Sequence, residues 1–309
     1  MISRRNIRVK VMQVLYAIES REEIVNPGEA VRSLQKHFDQ SRQLLVYIIY
    51  LITEVARYAE KDSRNRAAKH LPSREDLIVN TKLAGNELLW KIMDSPTWKQ
   101  ALKNDKPQLI EDHDLVRKIY IELAERDEYK KYIAIPSRDR KQEKDMLDFI
   151  FTEMLLANES FTTHIEETFT NWDDDADIMV QLINNFLNKS NSYNFQELIS
   201  KEKKDFASSL LETTIDKKEM VLDLIKPKLN NWDSDRIAVL DMILMRLGVC
   251  EFLFFDTIPP KVTINEYIDL AKEYSTQQSG QFVNGILDNI HKDLIRDNKM
   301  NKRDYKTKG

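Results

Sequence analysis

Arg4, Arg5 and Arg8 stand within the first ten residues, with Lys10 beside them and no acid among them. A guanidinium is a planar fork of donors that fits phosphate and base edges. Arg4 and Arg8 are four apart, so a helix places them on one face. Gln13 follows, and Tyr16 lies two turns beyond Arg8 with its polar tip available. An exposed aromatic of this kind stacks on unpaired bases. These residue types suit a grip on single-stranded RNA rather than bond-making chemistry. The far end repeats the sign: from Asn298 on, Lys299, Lys302, Arg303, Lys306 and Lys308 oppose a single acid, Asp304. The formal net charge is −4, so both ends are basic on an acidic body. Such ends favour a polyanion through counterion release.

Other chemistries lack their residues. His37, His70, His113, His164 and His291 are scattered without metal-ligand spacing. The one cysteine, Cys250, sits inside an apolar run and reads as a small buried hydrophobe in a reducing compartment. No glycine-rich phosphate cradle and no nucleophile elbow is present. Asp173-Asp174-Asp175-x-Asp177 lacks the central glycine and terminal glutamate of a calcium loop, and reads as a solvated helix start. The expectation is a protein that is not an enzyme and needs neither metal nor cofactor. No apolar run approaches the ~20 residues that cross a bilayer, and no apolar core follows the basic start as in a secretory signal. A cytoplasmic protein without a membrane partner is expected.

The elements that must position these residues are helical. The 309 residues include only six glycines and eight prolines, and charged residues make up 32%. That composition, with its helical periods and no alternating β-branched runs, predicts an all-α fold. The first helix runs from about Ser3 to Glu19, with Ile7, Val11, Val14, Leu15 and Ile18 inward. A long helix follows Asn26-Pro27-Gly28, from Glu29 to about Lys61. Ser73-x-x-Asp76 reads as a cap before a helix lined by Leu77, Leu83, Leu88, Leu89 and Ile92, and Tyr129 to Lys144 reads as a charged linker. Asn171-Trp172-Asp173 and Asn231-Trp232-Asp233, 60 residues apart, hint at a degenerate repeat.

The most legible block is 235–291. Ser234 and Asp235 stand where an N-cap belongs, and a helix over Ile237–Phe254 follows, apolar on most sides. Glu251 within it needs a nearby cation or donor, because an unpaired buried carboxylate is costly. Pro259-Pro260 ends that helix. Thr263-Ile-Asn-Glu266 then reads as a capping box for a helix with Ile264, Ile268, Leu270 and Ala271 inward. Ser275–Gly280 reads as a loop. Phe282, Val283, Ile286, Leu287 and Ile290 mark a last helix, with Gly285 as a close helix-helix contact.

These residues resemble one family. The run Ile258-Pro-Pro-Lys-Val262, then Ile264-Asn-Glu266, Leu270-Ala-Lys272 and Phe282-Val-Asn-Gly-Ile-Leu-Asp288, together with Asp241, Ile243-Leu244, Arg246-Leu247 and Glu251-Phe252, is similar to the C-terminal half of the NusB antitermination factors. Ser3-Arg-Arg-Asn-Ile-Arg8 followed by Val11-Met-Gln-Val-Leu-Tyr16 is similar to the family's arginine-rich first helix. The resemblance implies two small helical subdomains forming an all-α bundle, here enlarged by inserted helices. It implies four segments: 1–60 with the basic start, 61–204 as a helical insertion, 205–295 as the C-terminal subdomain and 296–309 as a basic flexible tail. It also implies a non-enzymatic adaptor. Such an adaptor pairs with a NusE-type small-subunit ribosomal protein, holds single-stranded boxA-like RNA and joins the transcription elongation complex during ribosomal RNA transcription. RNA contacts are then expected at Arg4, Arg5, Arg8, Lys10, Gln13, Tyr16 and Phe282, and a partner contact at Asp241. Gln277-Gln278 departs from the acid usual in the family at that place. A NusB-like domain also occurs fused to RNA cytosine methyltransferases, but six glycines and a helix-embedded Cys250 cannot supply that enzyme's nucleotide fold and nucleophile. The alternative is a NusB-fold interaction scaffold that has lost RNA binding.

Overall fold

The computed structural model describes residues 2–21, 26–74, 76–188, 193–229, 237–300 and 302. Among these residues the chain forms fourteen α-helices and no strand. In order they are α1 (Arg4–Ser20), α2 (Pro27–Ala67), α3 (Glu87–Asp94), α4 (Pro96–Asp105), α5 (His113–Glu125), α6 (Asp127–Ala134) and α7 (Arg140–Phe149). Then come α8 (Glu159–Thr168), α9 (Trp172–Asn188), α10 (Lys201–Asp216), α11 (Lys218–Ile225), α12 (Val239–Phe254), α13 (Pro260–Tyr274) and α14 (Gln277–Arg296). The chain divides into two compact units: a middle unit, Asp39–Leu198, and a terminal unit made from Ile2–Phe38 and the chain from Ile199 onward.

The terminal unit is built around α12, which packs against α1, α10, α11, α13 and α14. That explains its nearly continuous apolar sequence: Ile243, Leu244, Met245, Leu247, Val249, Cys250 and Phe252 are all buried. Each such side chain contributes about 1.5–3 kcal/mol by leaving water. Gly248 lies where α12 meets α14; an added Cβ would stand 2.8 Å from Leu287 Cδ2. The close helix contact expected at Gly285 is therefore made at Gly248 instead, and Gly285 faces open space.

Two helix starts differ from the sequence reading. α13 begins at Pro260, whose fixed φ suits a first helical position, so Thr263 is already inside the helix and is no cap. Its inward residues are Thr263, Tyr267, Leu270 and Ala271, while Ile264 and Ile268 are half-buried. α14 begins at Gln277 because Thr276 caps it, accepting from Ser279 N at 3.1 Å, so most of the expected 275–280 loop is helix. Ser234, Asp235 and Asn231-Trp232-Asp233 lie outside the described residues, as does most of the basic tail.

In the middle unit the expected linker over 129–144 is two helices, α6 and α7. Tyr129 and Tyr132 are buried, and Asp139 caps α7 by accepting from Lys141 N and Gln142 N. The charges that suggested a linker lie mostly on exposed faces. α7 runs on into a single π-helical turn, Ile150–Leu155. Ser73 and Asp76 do bond each other's backbone N–H, but they close a turn rather than start a helix, and Leu77 is exposed. The next helix waits for Asn86, which caps α3 through Leu88 N and Leu89 N. Trp172 opens α9, as the Asn171-Trp172-Asp173 pattern predicts, and the aspartates that follow occupy its first turn.

Candidate nucleic-acid interface

α1 is the element that carries the basic start. Ser3 caps it by accepting from Asn6 N at 3.1 Å. Arg4 and Arg5 then emerge partly exposed at its N-terminal end. Arg4 Nη2 reaches Glu202 Oε1 of α10 at 2.9 Å, and Arg5 Nη2 reaches Glu273 Oε2 of α13 at 2.7 Å. Exposed pairs of this kind contribute about 0–1 kcal/mol and weaken with salt. A phosphate can therefore take either guanidinium without a large loss to the fold.

Arg8 does something else. It was expected on the surface with Arg4, yet it is 2% exposed. Its Nε and Nη2 grip Glu251 Oε1 and Oε2 at 2.7 and 3.1 Å, and Nη1 lies 3.3 Å from Glu266 Oε2. Glu251 is fully buried and also accepts from Thr263 Oγ1 at 2.9 Å and Tyr267 Oη at 2.8 Å. Both carboxylate oxygens are thus satisfied, which is the condition for keeping such a charge inside. The guanidinium also lies over the rings of Phe206 and Tyr267, at 5.7 and 5.8 Å. Burial pulls the Arg8 guanidinium down, but Tyr267, Glu251 and Glu266 outweigh it and hold it above its ordinary value. Burial, then Glu251, pushes the Tyr267 hydroxyl well up. Arg8 is a structural cation, the one that the lone Glu251 required. Lys302 adds to this region by donating to the carbonyls of Glu251 and Phe255, at 2.6 and 2.7 Å, where α12 ends.

The other expected RNA residues divide between surface and interior. Lys10 is 1% exposed, so it too corrects the picture of a solvent-facing cluster. It counts among the buried residues of α1 together with Ile7 and Val14. Gln13 and Phe282 are half-buried, and Tyr16 is 49% exposed. Arg5 and Tyr16 are eleven residues apart, about three full turns, so they share a face ~16 Å apart along the axis. The surface that remains for an anion is Arg4, Arg5, Gln13 and Tyr16. Glu202 and Glu273, which hold its arginines, went unnoticed in the sequence; helical spacing cannot reveal partners from other helices.

Asp241 also differs from expectation. It is 5% exposed, and its Oδ2 accepts from Ser279 Oγ at 2.9 Å. Ser279 in turn meets Ser275 and Thr276 at the start of α14. This carboxylate therefore fixes the turn between α13 and α14 instead of pointing outward. A second ion cluster ties α1 to the bundle: Glu19 Oε1 lies 2.7 Å from Arg246 Nη1 and 3.0 Å from Lys218 Nζ. Burial pushes Glu19 up, but Arg246 and Lys218 prevail and hold it below the ordinary carboxylate range.

Cys250 is buried, and burial pushes its thiol up to about 11, which leaves it a poor nucleophile. Among the described residues no group of three histidine, cysteine or acidic side chains can hold a metal ion, and no helix is long and apolar enough to cross a membrane.

An all-helical bundle around one buried helix, entered by an arginine-rich first helix, defines the class to which known proteins can be compared. The NusB family model matches residues 168–292. The chain is 41% identical over 99 residues to the transcription antitermination protein NusB of Salinibacter ruber, covering 32% of this chain and 62% of that protein. It is 42% identical over 104 residues to the protein of the same name in Methylacidiphilum infernorum, covering 34% of this chain and 72% of that one. The Listeria monocytogenes protein of that name is 37% identical over 95 residues, 31% of this chain and 74% of its own length. No solved structure matches. The chain belongs to the NusB family. It spans less than two thirds of the length of the Salinibacter relative, and most of its own length lies outside these matches.

Proposed function

We propose that this protein is a non-enzymatic RNA-binding factor in transcription antitermination. It acts in the cytoplasm with a NusE-type small-subunit ribosomal protein on boxA-like single-stranded RNA, within the elongation complex that transcribes ribosomal RNA. Three relatives are named for antitermination. The observation that carries the reading is the face of α1 where Arg5 and Tyr16 align, with Arg4 beside them. Both arginines are held by surface pairs that a phosphate can replace, and Arg4 also lies over the Phe206 ring at 5.4 Å. Arg4 and Arg5 take backbone phosphates, Tyr16 stacks on a base, and Gln13 and Phe282 border the strand. Arg8 and Lys10 support the helix from beneath. The ribosomal protein docks on the side of the bundle where Asp241 fixes the start of α14, so Asp241 acts by positioning.

The test is Arg4→Ala with Arg5→Ala, assayed by fluorescence anisotropy on a boxA-like RNA over a salt series. The double variant should bind more weakly, and its salt slope should drop by about 0.7 per lost phosphate contact, or about 1.4 for two. Unchanged affinity and slope would refute the RNA role. A second reading, an interaction scaffold without RNA binding, draws on the burial of Arg8 and Lys10 and on the acids that already hold Arg4 and Arg5. It predicts capture of the ribosomal protein with no measurable RNA affinity in the parent.

A further inference from the structure

The middle unit contains a cleft of about 450 Å³ between the C-terminal half of α2 and the start of α5. Its volume falls in the range of small-molecule sites. Arg57, Lys61 and Arg64 lie along it at i, i+4 and i+7, one stripe of a helix. Each is exposed. Arg57 Nη1 bonds Glu54 Oε1 at 2.9 Å, and Arg64 donates to the Glu60 carbonyl at 3.3 Å from Nε and reaches its Oε2 at 3.5 Å from Nη2. Lys61 sits 5.3 Å from the centre of the Tyr58 ring, with no carboxylate partner among the described residues. Glu54, Glu60 and Glu111 line the same cleft, so its formal charges balance, but Lys61 is bonded to none of these carboxylates.

The floor carries a different chemistry. Tyr58 is half-buried and braced from behind by Tyr120, ring centres 5.2 Å apart. Glu111 is locked in place by Tyr50 Oη at 2.5 Å and His113 Nδ1 at 2.7 Å. Glu54 has one oxygen bonded to Arg57 and is half-buried. Burial holds it above the ordinary carboxylate range, with Arg57 opposing and Glu111 adding. A donor N–H brought by a ligand would return to it some of the hydrogen bonding that burial removed. An aromatic plane, a carboxylate acceptor and a row of cations are the three complements of a nucleotide: base face, base N–H edge and phosphate.

We infer that this cleft is a nucleoside-phosphate site, with phosphate at Lys61 and Arg64, the base face on Tyr58 and its N–H edge toward Glu54. Lys61 leaves the ring face to meet the phosphate as the base takes its place. A solvated cleft of surface ion pairs accounts for Arg57 and Arg64 but leaves Lys61 with no carboxylate partner among the described residues. The ligand comes either as a free nucleotide or as one unit of a single-stranded RNA. The site stands apart in sequence from the α1 face and does not depend on it.

The experiment uses the full chain, with Lys61→Glu and Arg64→Glu together. Both side chains are exposed, and circular dichroism checks the fold. Guanosine 5′-monophosphate is titrated by calorimetry, and a short single-stranded RNA carrying 6-thioguanosine is photo-crosslinked and mapped by mass spectrometry, each also in an Arg4→Ala, Arg5→Ala background. Nucleotide affinity that drops on the order of tenfold in the charge-reversed variant supports the site with a free ligand. A crosslink on the peptide holding Tyr58, kept in the α1 variant and lost in the charge-reversed one, supports it with RNA. If neither probe responds to the charge reversal, the inference is overturned. Failure of the α1 reading would show separately, as RNA binding untouched by Arg4→Ala and Arg5→Ala.

Discussion

Replacing Arg8 by alanine separates a structural arginine from a ligand-binding one. The substitution leaves the fully buried Glu251 carboxylate with hydroxyl donors from Thr263 and Tyr267 but no cation. Glu266, 3.3 Å away, loses its partner as well. Removing one member of a buried pair costs about 3–5 kcal/mol, because the other charge stays desolvated. For a cooperative unit of this size each kcal/mol moves the midpoint by roughly 2–4 °C, so the terminal unit should melt about 6–20 °C lower. Differential scanning calorimetry on the parent, Arg8→Ala, Glu251→Gln and the double variant completes a cycle. The double variant should be less harmed than the two singles summed, since neither charge is then left alone. If Arg8→Ala melts within a degree of the parent yet loses RNA affinity, Arg8 is a ligand for RNA and the buried-pair argument is refuted.

Glu19→Gln should show an acid-linked loss. Because Arg246 and Lys218 hold the Glu19 carboxyl low in the folded state, its contribution is present above the ordinary carboxylate value and fades as pH falls through the lowered one. Urea midpoints of parent and variant should therefore differ at pH 7 and converge in strong acid; a gap that widens in acid would contradict the assignment. The two glycines give opposite signs. Gly248→Ala must displace Leu287 and should cost about 1–3 kcal/mol, whereas Gly285→Ala meets nothing within 4 Å and should gain up to about 1 kcal/mol of helix propensity. Thermal melts that rank the two variants the other way would show that the α12–α14 contact is misread.

The sequence carried the helical class, α1, the burial of α12 and the demand of Glu251 for a cation. It did not carry the direction of Arg8, although a signal existed. Arg8 and Leu15 are seven residues apart, nearly two whole turns, so Arg8 stands within about 20° of a core residue. Pairing Arg8 with Arg4 by spacing was correct, but spacing says only which residues share a face, not which way the face points. Lys10 failed for the same reason, at the other edge of the apolar stripe. Composition misled at 129–144, where dense charge hid two helices that bury Tyr129 and Tyr132. At Thr263 two start signals competed, and proline at the first helical position prevailed over the hydroxyl. The anchors Glu202 and Glu273 come from distant segments, and nothing local announces them.

The bond between Arg8 and Glu251 joins residues 243 apart in the chain. Its consequence is one of timing during synthesis. α1 is made before the other described helices, with Ile7, Val11 and Leu15 prepared for a bundle that does not yet exist. At ~5–20 residues per second the glutamate arrives about 12–50 s later. The stretch Asp39–Leu198 is complete well before then and contains its own core, so it folds while the first helix waits. Once compact, it removes most of the intervening chain from the flexible loop, which lowers the entropy lost when the two distant segments meet. The order of assembly thus departs from the order of translation: Asp39–Leu198 matures before α1 finds its place, although α1 is made earlier.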